Sequence, residues 1–457
     1  MSTGSSIVAR VFARVFRPFA KVEPEEAIGA SVMTLTIFLI LTAYYLLKTA
    51  REPLILLHGG AEVKSYASAG QSVLLLIAVP AYSALAKRVG RMKLLATVYL
   101  FFVSNLVLFA IFARAHANIG VAFYLWVGIF NMMAVSQVWS FAADIYTPEQ
   151  GKRLFAILGI GGSTGAVAGS EIAKSLISLG PQGLMAGAAA ILVLVVFCLA
   201  WVDRHVGSPR AQAGSPEEPL EAPQPDQGLA GEGVTEGTLS LFLRDKYLLL
   251  AGALTLLINW VNSNGEYLLD RTLLASLENS HATGVNPEKF VGAFKADYFG
   301  WVNIVGLLLQ LFVVSRVFSK LGVRVALFFL PGVAFVGYSL LLAAPILSLI
   351  RIAKISENSL DYSIQKTSFQ ALFLVTSRVE KYVGKTAIET LIVRIGDVFS
   401  GGLVWVASLL SLSTSALAGI NLCLVALWLV VIVAIGKEHR RRSEESEELM
   451  AAEPLPT

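Results

Sequence analysis

Twelve long apolar segments fill this 457-residue chain, and several of them carry charged residues well inside. A helix needs ~20 mainly apolar residues to cross the hydrocarbon of a bilayer. Segments 30–48, 66–86, 93–113, 119–143, 154–179 and 183–202 are of that order in the first half. Segments 246–268, 289–315, 323–343, 345–374, 385–411 and 414–436 match them in the second. A charge at the bilayer centre costs on the order of 3 kcal/mol, so such residues face a partner or a water-filled path rather than lipid. The pattern predicts an all-α membrane protein of twelve transmembrane helices with a polar interior. Charged residues make up only 15% of the chain, against about 25% in soluble domains. That deficit excludes an ordinary cytosolic enzyme.

The two hydrophobic blocks flank a stretch of different character. Residues 203–242 are rich in Pro, Gly, Glu and Ala and poor in large apolar side chains, so they read as a disordered linker. The expected division is an N-terminal segment 1–29, a six-helix bundle 30–202, the linker, a second six-helix bundle 243–437 and an acidic tail 438–457. The N-terminal segment does not read as a cleavable signal peptide. There Ile7, Val11, Val15 and Phe19 alternate with Arg10, Arg14, Arg17 and Lys21, as in a helix lying in the headgroup layer or, more simply, a basic tail. The tail from Ser443 is expected to be disordered.

Basic residues set the orientation. Lys87, Arg88 and Arg91, Lys152 and Arg153, Lys320 and Arg324, and Lys385 occupy alternate connections, while the opposite loops are short and poor in Lys and Arg. By the positive-inside rule both termini and the linker are cytoplasmic, and these residues line the cytoplasmic loops where gating would occur. The membrane is the cell (inner) membrane if the chain is bacterial. Cys198 and Cys423 each sit in an apolar run and read as inert thiols, and the five histidines lack ligand spacing. No metal and no cofactor is expected.

The halves repeat. Ser83-x3-Lys87-Arg88-x-Gly90-Arg91 recurs as Ser315-x3-Ser319-Lys320-x-Gly322-x-Arg324, and Gly151-Lys152 recurs as Gly384-Lys385, both about 232 residues apart. Any cytoplasmic turn collects glycine and basic residues, but two matched spacings favour duplication into pseudo-symmetric bundles.

Three clusters carry the chemistry. At the end of the first segment Lys48, Arg51 and Glu52 share a helical face, with Tyr44 and Tyr45 nearby. Two cations beside aromatic rings suit an anionic ligand with a flat ring, unless they merely snorkel to the interface. The seventh segment places Asn259, Asn262, Glu266 and Asp270 within an arc of ~80°. The tenth does likewise with Arg351, Lys354, Asn358, Asp361 and Gln365, and the eleventh adds Arg394 and Asp397. These polar faces line a path, or form an ionic network that holds the halves together, or both. Gly159-Ile160-Gly161-Gly162-Ser163-Thr164-Gly165 looks like a phosphate loop but lacks Gly-Lys-Ser/Thr and follows no strand. Its fourth-residue spacing at Gly161, Gly165 and Gly169 instead favours close helix packing. No Walker motif or nucleophile–base pair points to an ATPase or hydrolase.

With these residues in view, the chain resembles the ATP/ADP translocases of plastids and obligate intracellular bacteria. Leu47-Lys48-Thr49-Ala50-Arg51-Glu52-x-Leu54 is similar to that family's L-R-D-T-K-D-x-L. Trp139-Ser140-Phe141-Ala142-Ala143, then Thr147 and Lys152-Arg153, is similar to W-G-F-A-N…T…K-R, and Lys381 to Glu389 to K-x-x-G-K-x-A-I-D. The loop at Ser83–Arg91 resembles a degraded major-facilitator G-x-x-x-D-R-x-G-R, with Ser83 for the glycine and Lys87 for the aspartate. The resemblance implies a major-facilitator fold that exchanges nucleotides by alternating access. Two departures remove cations: I-N-x-x-E-x-x-x-K appears as Ile258-Asn259-x-x-Asn262-x-x-x-Glu266, and G-K as Gly396-Asp397.

The leading expectation is a secondary transporter exchanging a nucleotide-like anion, a small-molecule substrate, across the lipid bilayer. Its substrate residues would be Tyr45, Lys48, Arg51, Glu52, Asn259, Asn262, Glu266, Arg351, Lys354, Asp361, Arg394 and Asp397. The alternatives are a proton-coupled transporter of a zwitterionic or amphiphilic solute, with Glu266, Asp361 or Asp397 carrying the proton, and a membrane scaffold that transports nothing. No nucleic-acid partner is indicated, and the oligomeric state is open.

Overall fold

The computed structural model describes residues 22–23, 26–86, 90–115, 117–206, 245–280, 284–376, 380 and 384–452. The N-terminal amphipathic stretch, most of the linker, and Lys87 and Arg88 lie outside them. No strand occurs among the described residues. Among the described residues, seven helices are long and apolar enough to cross a membrane, or eight if the bent pair Pro287–Phe312 and Val314–Ala326 is one span. The two segments richest in polar residues, the seventh and tenth of the twelve expected, are not among these seven.

Two compact units make up the chain. The first comprises Met1–His58, Pro80–Pro225 and Val285–Asn303; the second Gly59–Val79, Asp226–Gly284 and Ile304–Thr457.

In the first unit, α1 (Ala27–Ala86) is followed by α2 (Arg91–Arg114), α3 (Gly120–Ile145), α4 (Pro148–Ser175) and α5 (Gly180–His205). The sequence predicts an end to the first span at Lys48; α1 instead continues past Lys48, Arg51 and Glu52 and breaks only at Gly60, whose φ of 74° favours glycine. No interfacial end is needed there, because Glu52 has two cations against it, as described below. The core is built from apolar faces of α1 to α5, with Trp126 stacked between Phe123 and Phe130. The glycine stripe of α4 lies directly on α1. A Cβ on Gly161, Gly165 or Gly169 would stand 2.7, 2.3 or 2.7 Å from the carbonyl oxygen of Thr34, Phe38 or Thr42. The stripe therefore packs helices and cradles no phosphate. Helix α4 starts from a capping box: Gln150 N donates to Thr147 Oγ1 (3.3 Å) and Thr147 N to Gln150 Oε1 (3.0 Å).

In the second unit, α6 (Lys246–Ser280) packs against α10 (Leu347–Leu360), α13 (Val393–Leu409) and α14 (Thr414–Ala452). Helix α7 (Pro287–Phe312) begins in the first unit and ends in the second, and α8 (Val314–Ala326) and α9 (Phe329–Ala343) follow it. Two wide π turns interrupt the later helices. One, Asp361–Gln365, separates α10 from α11 (Lys366–Leu372); the other, Ile388–Ile392, separates α12 (Lys385–Ala387) from α13. The tail expected to be disordered is helical as far as Ala452. Pairs at helical spacing support it, Arg440 with Glu444 at 2.7 Å and Arg441 with Glu438.

Candidate functional site

The first unit gathers cations around one carboxylate. Lys48 Nζ lies 4.2 Å from the centre of the Phe299 ring and 5.2 Å from that of Tyr45. One turn on, Arg51 lies 4.4 Å over the Tyr124 ring and its Nε is 3.1 Å from Glu52 Oε1. Lys295, fully buried on α7, is 3.7 Å from Glu52 Oε2. Two cations, Arg51 and Lys295, therefore meet the carboxylate of Glu52, with Lys48 one turn earlier on the same helix. Lys48, Arg51 and Lys295 against Glu52 and Glu171, whose Oε1 is 2.8 Å from where a Cβ on Gly300 would stand, count to one net positive charge. Below the rings, Tyr45 Oη donates to Asn303 Oδ1 at 2.9 Å, and Asn303 Nδ2 donates to Ser170 Oγ at 3.2 Å. Lys174 and Asp297 form a closed pair beside them.

The second unit holds three polar knots. In the first, Asp397 accepts from Ser72 (2.8 Å), Asn259 (2.9 Å) and Ser263 (3.1 Å), with Arg394 at 3.9 Å. In the second, buried Lys354 donates to Asn262 Oδ1 (2.6 Å) and Glu357 Oε2 (2.9 Å), and Tyr338 Oη donates to the same oxygen at 3.2 Å. Gly265 makes this knot possible, since a Cβ there would stand 3.0 Å from Lys354 Nζ. Asn358 Nδ2 donates to Glu266 at 2.9 Å nearby. In the third, Lys64 pairs with Asp270 at 2.7 Å, and Tyr267 Oη donates to Glu62 at 2.7 Å.

The predicted site residues thus fall into separate groups. Tyr45, Lys48, Arg51 and Glu52 come together in one; Asn259, Arg394 and Asp397 in another; Asn262 and Lys354 in a third, with Asp361 lining the same cleft. Arg351 is half-buried one turn before Lys354. Of the loop residues, Arg153 pairs with Glu26 at 3.0 Å and Lys385 with Glu389 at 3.7 Å, while Lys320 and Arg324 are exposed. Arg91 opens α2 and Lys152 lies in the first turn of α4. Sequence reading missed Glu62 and Lys64, because it placed 49–65 in a connection, and Lys295, Asn303 and Tyr338.

No family model matches the chain. It is 22% identical over 373 residues to the ADP,ATP carrier protein 1 of Chlamydia pneumoniae, covering 73% of this chain and 70% of that one. Against the protein of the same name from Chlamydia muridarum it is 24% identical over 370 residues, covering 72% and 67%. The chain resembles the ADP,ATP carriers. Among solved structures, the nucleoside transporter NupG superposes with a TM-score of 0.62 at 11% identity, over 90% of this chain and 98% of that one. A POT family transporter in complex with 5-aminolevulinic acid gives 0.63 at 13% identity, over 91% and 96%. These likenesses establish a multi-pass, major-facilitator-like fold. The relatives and neighbours are carriers and transporters, not enzymes.

Proposed function

We propose that the chain is a secondary transporter of twelve helices in two six-helix bundles, exchanging nucleotide-like anions by alternating access. In this reading both termini face the cytoplasm of a cell membrane. The observation that carries it is the set of cations in the first unit: Arg51 and Lys295 against Glu52, and Lys48 over the Phe299 ring. An excess of positive charge in a water-poor setting favours a phosphate, through charge-assisted hydrogen bonds. The rings of Tyr44, Tyr45, Tyr124 and Phe299 give a flat base something to stack on. The likeness to ADP,ATP carriers supports the nucleotide class. Lys354 and Arg394 are the weaker phosphate candidates, because carboxylates stand 2.9 and 3.9 Å from them and an anion would have to displace these.

Proteoliposomes loaded with ADP test the reading through uptake of labelled ATP. Internal ADP should accelerate uptake, and Lys48→Ala and Arg51→Ala should each abolish the acceleration. Uptake indifferent to both substitutions would reject the site.

A further inference from the structure

Helix α8 departs from the spanning helices in length, direction and charge. It has 13 residues, too few for the ~20 that cross a bilayer. It leaves α7 at a bend of 77°. A short amphipathic helix turned this far from a spanning one runs along the membrane surface. Its two sides differ. Val314 and Val317 are buried, and at ~100° per residue Phe318 and Leu321 fall on the same side. Ser315, Arg316, Ser319 and Lys320 occupy the other side and are exposed. Gly322, with φ of 75°, breaks the helix, and Arg324 beyond it is exposed as well.

These cations lack the carboxylates that cations at other helix ends have. Lys385 faces Glu389, and Arg442 faces both Asp245 and Glu380. Among the described residues, no carboxylate pairs with Arg316, Lys320 or Arg324. The sequence explains part of this, since no Asp or Glu occurs from Tyr298 to Ser356. Neighbouring elements supply none either. Helix α11, which packs against α8, adds the exposed cation Lys366. Helix α14 passes close by, a Cβ on Gly436 standing 3.8 Å from Cδ of Arg324, but its Glu438 and Glu444 are taken by Arg441 and Arg440. Beside the cations the surface turns apolar: Leu321, Val325 and Phe328 are all exposed. Unpaired positive charge bordered by exposed hydrocarbon complements a molecule with a phosphate at one end and acyl chains at the other. A free phosphate has no use for the apolar border, and a zwitterionic lipid brings a cation of its own.

We propose that α8 is a docking surface for an anionic phospholipid. The headgroup phosphate meets Arg316, Lys320 and Arg324, and the acyl chains lie against Leu321, Val325 and Phe328. The inference rests on α7 crossing the bilayer and is independent of the nucleotide reading.

The test is native mass spectrometry of the purified full chain, titrated in detergent with POPG or with POPC. Each cation near the membrane surface is worth about a fivefold change in affinity for an anionic lipid. The parent should bind POPG more tightly than POPC. The triple variant Arg316→Gln/Lys320→Gln/Arg324→Gln should bind POPG about a hundredfold more weakly than the parent. Arg440→Gln, at an exposed position already paired with Glu444, should bind it as the parent does. Should the triple variant fail to fold, Lys320→Gln is read in its place and must weaken binding about fivefold. Neither inorganic phosphate nor ADP should displace POPG, and displacement by either would assign the cations to a soluble anion instead. Equal binding of POPG and POPC by the parent, or undiminished POPG binding in the variant, would overturn the proposal.

Discussion

Gly265→Ala is the substitution for which local helix energetics and the surrounding structure pull hardest in opposite directions. In an exposed helix interior the change gains about 1 kcal/mol. Here the new Cβ would stand 2.2 Å from Tyr338 Oη and 3.0 Å from both Cδ and Nζ of Lys354. The first distance is about 1.3 Å inside the ~3.5 Å optimum for non-bonded contact. Tyr338 is fully buried, and its oxygen ends a rigid ring, so relief requires the whole ring to move. Overpacking of this kind costs about 1–3 kcal/mol, and losing a hydrogen bond to a charged group about 1.5–3 more. Gly265→Ala should therefore destabilise by about 1.5–5 kcal/mol, the sum of those terms less the helical gain. Equilibrium unfolding by SDS titration in mixed micelles, followed by tryptophan fluorescence, reads this directly. Tyr338→Phe removes the clashing oxygen, so the double variant should be more stable than the two single losses predict, by about 1 kcal/mol or more. A Gly265→Ala chain as stable as the parent would refute the close packing of α6, α9 and α10 on which the Lys354 knot depends.

Other perturbations test other parts of the molecule. Glu52→Gln removes the carboxylate that Arg51 and Lys295 both face, and should destabilise by about 3 kcal/mol, part of which Lys295→Met restores in the double variant. Gly165→Ala should impair folding, judged by yield and melting midpoint, because its Cβ meets the Phe38 carbonyl oxygen, whereas Gly159→Ala, with open space around it, should be neutral. Burial pushes the Asp245 carboxyl up, but hydrogen bonding with Glu380, the Leu248 amide and Arg442, together with the Arg442 charge, outweighs it and holds the group at about 2. This depressed value means that the contribution of Asp245 is complete above its unfolded value of ~3.9 and fades as pH falls towards 2. The difference in melting midpoint between the parent and Asp245→Asn should accordingly shrink as pH falls from 5 to 2.5.

Much of this was legible in the residues themselves. A repeat of 3.6 residues places Lys354, Asn358, Asp361 and Gln365 on one face, and lipid cannot solvate such a face, so a polar stripe on the tenth segment follows from the spacing alone. The close packing of Gly161, Gly165 and Gly169 follows in the same way. Charge misled where it appeared to mark a helix end. Lys48, Arg51 and Glu52 resemble an interfacial boundary in one dimension, and only the neighbouring Tyr124, Lys295 and Phe299, distant in sequence, reveal that the helix can continue past them. Moving that boundary also hid Glu62 and Lys64. The π turns at Asp361–Gln365 and Ile388–Ile392 have no signal in hydrophobic periodicity, because one extra residue per turn shifts the register without changing composition. Pairings such as Tyr45 with Asn303 depend on tertiary placement and cannot be read from either segment.

Equilibrium binding of radiolabelled ADP to the purified chain asks most directly whether the helix α1 cations recognise phosphate. ADP and ATP should compete for one site, adenosine should not, and Lys48→Ala and Arg51→Ala should each weaken binding by about tenfold or more, the effect of losing one charge-assisted contact. Adenosine competing as well as ADP, or both variants binding ADP as tightly as the parent, would contradict an anion site at Lys48 and Arg51.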